Sequence, residues 1–74
     1  MAGLLITRTD MSAAELRAAA RASADAKQAL RILAIAMALD GFSRAEAAGL
    51  CGMDRQTLRD WIHRYNEEGL NGLA

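Results

Sequence analysis

Four polar caps, each followed by apolar residues at helical spacing, divide this chain into helices, and no proline interrupts any of them. Ser12 with Glu15, and Ser43 with Glu46, have the capping-box spacing, in which each side chain satisfies a backbone donor at a helix start. Asp25 and Asp54 stand at the other two starts, where a short acceptor side chain does the same work. Gly41, Gly52 and Gly69 stand at helix ends, where left-handed backbone costs glycine least. These signals predict helices over residues 13–22, 25–39, 44–51 and 55–67. Abundant alanine reinforces them through its high helix propensity. The expected fold is therefore all-α, a small bundle of about four helices.

The predicted domain spans 12–69. Residues 1–11 show no helical periodicity and read as an arm, with Leu4, Leu5 and Ile6 available to pack in extended form. Residues 70–74 read as a turn-like tail. The second helix is apolar nearly all round, through Ala29, Leu30, Ile32, Leu33, Ile35, Ala36, Met37 and Leu39. Such a helix needs neighbours on several sides. Seventy-four residues make one domain, and 53% apolar residues are enough for its core.

Composition removes several classes of function. One cysteine, Cys51, excludes an intramolecular disulfide and a cysteine metal cluster, and the chain reads as intracellular. The longest apolar run, 32–39, is far short of the roughly 20 residues that span a bilayer. The start, MAGLLITRTD, lacks the charged and apolar regions of a signal peptide. No phosphate-binding glycine loop, zinc-protease motif or nucleophile elbow appears, so neither enzyme chemistry nor a cofactor, metal or small-molecule substrate is expected. A net charge of zero argues against strong nonspecific nucleic-acid binding, although a neutral total is compatible with a basic face.

The last two helices carry the functional signal. They are separated by about three residues, with Gly52 at the head of the turn near 51–54, which is the helix-turn-helix pattern. Ala48 is small where the helices cross, and Ala47, Cys51 and Met53 fill the space between them. At about 100° per residue, Leu58, Trp61, Ile62 and Tyr65 share one arc of the helix at 55–67, the spacing of a buried stripe. Arg55, Gln56, Arg59, Asp60 and His63 fall in another arc, and Thr57 and Arg64 lie to the side.

In a helix-turn-helix the N-terminal end of the second helix enters the major groove of double-stranded DNA. Arginine pairs there with guanine O6 and N7, and glutamine with adenine N6 and N7. Arg55, Gln56 and Arg59 thus become candidate base readers or phosphate grips. Ser43 caps the first helix of the pair and stands where a phosphate would approach a helix N-terminus. Asp60 is expected to pair with Arg64 one turn on, or to orient Arg59 or Gln56. His63 is expected to face solvent or phosphate, and Cys51 to be a small buried residue. Arg17, Arg21, Lys27 and Arg31 offer an auxiliary basic surface, interspersed with Glu15 and Asp25.

Three pieces, DG-S-R-EAA within 40–48, CGMDRQTLRDWIHRYN at 51–66 and EEGLNGL at 67–73, give residues 34–73 a specific character. This half of the chain resembles the N-terminal helix-turn-helix region of bacterial mariner-type insertion-sequence transposases. The upstream helices fit that pattern more loosely. The resemblance implies a homeodomain-like or winged-helix domain that binds the terminal inverted repeats of a mobile element. In such transposases a second DNA-binding module follows, then a catalytic domain with three acidic residues and divalent metal. The sequence here ends at Ala74 without those acidic residues, so the expectation is recognition without strand transfer. The site residues the resemblance carries over are Arg55, Gln56, Thr57 and Arg59, with Arg64 and Ser43 beside them. A bacterial cytoplasmic, nucleoid-associated location is implied. A stand-alone repressor acting as a homodimer through the apolar arm, and a helical protein-interaction module, are the alternative readings.

Overall fold

A computed structural model describes residues 6–74. Four α-helices follow one another, α1 Ala13–Ala22, α2 Ala26–Leu39, α3 Arg44–Leu50 and α4 Arg55–Glu68, and a 3-10 helix, Gly69–Leu73, closes the chain. Each start has its expected cap. Ser12 Oγ accepts from the Glu15 N–H at 3.1 Å while Glu15 accepts from the Ser12 N–H at 2.8 Å. Ser43 and Glu46 repeat the exchange at 3.1 and 3.0 Å. Asp25 accepts from the Lys27 N–H and Asp54 from the Thr57 N–H. The ends also fall where expected, with Gly41, Gly52 and Gly69 all at positive φ.

Helix α2 is the hub. It packs against α1, α3, α4 and the C-terminal 3-10 helix, whereas α1 packs against α2 alone among these elements. Ile32, Ala34, Ile35 and Ala36 are buried on it, and Leu16 and Ala20 of α1 meet them from one side. Helix α2 therefore has the several neighbours its apolar girth requires, although Leu30 and Leu39 stay exposed. An ion pair between Arg17 and Asp40 ties α1 to the C-terminal end of α2. That pair takes Arg17 out of the expected auxiliary basic surface.

The chain's last residues depart from the turn-like tail read in the sequence. Leu73 is fully buried, and its carbonyl accepts a hydrogen bond from Arg31 Nη1 at 3.2 Å. Gly72 lies so close to α4 that a Cβ there would sit 2.6 Å from the Arg64 carbonyl oxygen. The 3-10 helix thus plugs the base of the core between α2 and α4. At the other terminus, Leu4 and Leu5 of the arm lie outside the described residues. Ile6 and Met11 pack against the core. The Thr7 N–H donates to Asn66 Oδ1 at 2.9 Å, and Arg8 Nη1 donates to the Asn66 carbonyl at 3.3 Å. Thr7 and Arg8 are thereby fastened to the C-terminal half of α4.

Candidate nucleic-acid interface

The turn between α3 and α4 is built from backbone bonds. The Cys51 N–H donates to the Ala47 and Ala48 carbonyls, and the Met53 N–H returns to the Ala48 carbonyl at 3.0 Å. Gly52, at φ +73°, makes the reversal that these bonds require. Ala47 and Ala48 are the buried residues of α3, so that helix brings only small side chains to the core. Cys51 is buried as well, and desolvation pushes its thiol above the ordinary value. It is a packing residue, as its neighbours imply.

Helix α4 is seated by Leu58, Ile62 and Tyr65, none more than 1% exposed. Trp61, the fourth member of the expected buried stripe, is only partly buried and packs at the rim of the core. Its ring is capped by arginines: Arg31 Cζ lies 4.3 Å and Arg64 Cζ 5.2 Å from the ring centroid. A helical wheel gives an angle, not the depth of cover a neighbour provides. At this angle the cover is guanidinium as well as core. The expected ion pair between Asp60 and Arg64 does not form, because Arg64 turns to the Trp61 face instead.

The candidate contact residues divide into three groups around α4. Gln56, Arg59, Asp60 and His63 are exposed and form the outward face. Arg55 is also exposed, but it lies at the edge of that face. With Ser43 and Arg44 of α3 it lines a groove that runs down to Leu39, Phe42 and Ile62. Thr57 is half-buried on the other edge, toward Arg64. Arg55 and Arg64 stand nine positions apart, which is about 180° around the axis at roughly 100° per residue. The six sequence candidates are thus an outward pair, Gln56 and Arg59, between two flanks, Ser43 with Arg55 and Thr57 with Arg64. Arg44 joins the first flank. Its place beside the Ser43 cap was the signal available in the sequence. Arg31 joins the second by a contact across 30 residues that no local pattern reveals.

Charge runs unevenly along α4. Its first five residues include Arg55 and Arg59, and its last two are Glu67 and Glu68. The helix macrodipole adds partial positive charge at the arginine end. Asp54 caps that end and Asp60 follows Arg59, so its formal charges balance, and the C-terminal end of α4 is the acidic one. Among the described residues no group of three or more His, Cys, Asp or Glu side chains is placed to hold a metal ion. No helix of the described residues is long and apolar enough to cross a membrane.

The caps that hold the two helices open a pH window. The backbone hydrogen bond from Thr57 holds the Asp54 carboxyl below its ordinary value of 3.8, and the backbone hydrogen bond to Ser43 holds Glu46 below 4.5. A carboxyl depressed in the folded state stabilises above its unfolded pKa and loses that contribution as pH falls through the folded one. Thermal melts should therefore show the domain losing stability as pH falls from about 4.5 through 3.8 and below. Asp54→Asn keeps a good cap that does not titrate. It should flatten part of that acid limb, and an unchanged limb would assign the loss to other groups.

Comparison with known proteins agrees with this geometry. A family model described as a homeodomain-like domain matches residues 25–74, which takes in α2, α3, α4 and the closing 3-10 helix. The chain is 41% identical over all 74 of its residues to an uncharacterized protein, y4pG/y4sC, of Sinorhizobium fredii (strain NBRC 101917 / NGR234). It spans 38% of the length of that relative. No solved structure matches the chain.

Proposed function

The chain belongs to the homeodomain-like helix-turn-helix family, and we propose that it binds double-stranded DNA in a sequence-specific way through α4. The observation that carries this reading is the outward pair, Gln56 and Arg59. Both are exposed near the N-terminal end of a helix whose opposite side buries Leu58, Ile62 and Tyr65. Neither side chain is needed to hold the fold. Both match the hydrogen-bonding edges of bases in the major groove. Arg55 and Ser43 on one flank, and Thr57 and Arg64 on the other, are the proposed neighbours of the phosphate strands.

The finer reading is that this domain recognises the ends of a mobile element, the terminal inverted repeats of an insertion sequence. It rests on the resemblance of residues 34–73 to mariner-type transposases. On that reading these 74 residues supply recognition rather than catalysis. A bacterial cytoplasm, with the nucleoid as the place of action, follows from the same proposal.

Selection of the purified chain against random duplex DNA, at low and at moderate salt, tests the reading. Enrichment of one defined motif, weakened by added salt, is the expected result. An asymmetric motif fits a transposon-end reader, and a palindrome would point to a homodimeric repressor instead. Absence of any enriched motif at both salts would overturn sequence-specific binding and favour a protein-interaction role.

A further inference from the structure

We infer that Arg31 and Arg64, gathered on the ring of Trp61, form a clip for the phosphate backbone of one DNA strand, a site built from α2 and α4 together. This inference rests on the DNA-binding reading above and adds to it a residue, Arg31, from outside the helix-turn-helix pair.

The first support is local charge. Both guanidinium carbons lie within 5.2 Å of one ring centroid. They stand within a Debye length of each other, about 10 Å at 0.1 M salt, so salt does not fully screen one from the other. Neither has a carboxylate partner: among the described residues the ion pairs are Arg8 with Asp10 and Arg17 with Asp40. Asp60, Glu67 and Glu68 all lie three or four residues from Arg64 on α4, and none forms an ion pair with it. Two like charges held on one ring, neither engaged directly by a carboxylate, keep donors available to an anion.

The second support is orientation. Arg31 is fixed by stacking on Trp61 and by one bond to the Leu73 carbonyl at 3.2 Å. A guanidinium has five N–H donors, so most of its donors stay free while its plane is set. The third support is position. The major groove is about 12 Å wide, close to the diameter of a helix with its side chains, so the flanks of a seated helix face the two phosphate walls. Arg64 lies on the flank about 180° from Arg55, which sits beside Arg44 and Ser43. Each wall then meets a basic flank, and the clip serves the wall away from α3.

Phosphate contacts are independent of base sequence, so the test uses a short duplex of random sequence and a salt titration of its Kd. Each lost phosphate contact should lower the slope of log K against log salt by about 0.9. Arg64→Gln and Arg31→Gln should each produce that drop, and the double variant about twice it. Arg21→Gln, on the helix that packs against α2 alone, should leave the slope unchanged. Arg31→Lys, which keeps the charge, should restore most of the slope. Arg64 is exposed, so Arg64→Gln remains decisive should Arg31→Gln fail to fold. Wild-type slopes in both glutamine variants would overturn the clip while leaving DNA binding intact. Failure of the unaltered chain to bind the duplex at low salt would overturn the DNA-binding reading and the clip with it.

Discussion

Leu58→Ala is expected to unfold this domain or bring it to the edge of unfolding. Leu58 is fully buried one turn into α4, in the core cluster that also holds Ala47, Ala48 and Cys51 of the turn unit. Removing a buried leucine side chain costs about 2–5 kcal/mol, through lost transfer energy and the cavity left behind. At roughly 0.05–0.15 kcal/mol per residue, a chain of this length has about 4–11 kcal/mol of stability in total. The substitution therefore removes a large share of what is available. Leu50→Ala is the matched comparison, since Leu50 ends α3 only a few residues away and is 66% exposed. It should cost less than about 0.5 kcal/mol. Urea melts of the two variants decide the matter. Equal losses would show that the burial pattern of the helix-turn-helix unit is wrong.

The contrast between two leucines marks what a sequence of this kind discloses. Caps and glycine stops are local chemistry, decided within four residues, and all four helix starts and three glycine ends were legible. Leu58 was legible because it sits in the middle of its apolar arc, where any neighbour must cover it. Trp61 sits at the border of the same arc, and its cover comes from Arg31, a residue distant in the chain. The expected pairing of Asp60 with Arg64 failed for a different, local reason. The Trp61 ring, one turn before Arg64 on the same helix, competed with the Asp60 carboxylate, and an exposed i,i+4 ion pair is worth only about 0.3–0.5 kcal/mol. The closing 3-10 helix was illegible because five residues containing two glycines carry no periodicity. Only the fit of Leu73 and Gly72 against α2 and α4 gives them a structure.

Around α4 the same distinction separates the candidate contacts. Exposure of Gln56 and Arg59 was readable from their angle to Leu58, because both belong to one helix. The flanks were readable only in part: Thr57 and Arg64 follow from the helix angle and Arg44 from its place beside the Ser43 cap, but Arg31 arrives from α2. Residues on the outward face and residues on the flanks should fail differently when removed. That difference is the means of telling base readers from phosphate contacts.

Arg59→Ala should abolish most of the discrimination at one base position while leaving the fold untouched. The side chain is exposed and holds no ion pair among the described residues. Alanine also has a slightly better helix propensity than arginine, so the melting temperature should stay within about a degree or rise. If Arg59 makes a bidentate contact to guanine, its loss should cost about 1–3 kcal/mol against the preferred sequence, which is roughly 5- to 150-fold in Kd. Against random duplex the loss should be much smaller. Gln56→Ala should behave in the same way at a neighbouring base, with adenine as the base it reads. Arg64→Gln, by contrast, should weaken preferred and random duplexes alike. The measurement is a pair of Kd values for each variant, on the selected motif and on random sequence, at one fixed salt concentration. If Arg59→Ala weakened both equally, Arg59 would be a phosphate contact. If it melted the domain, the helix would present another face to solvent, and the assignment of readers would fall with it.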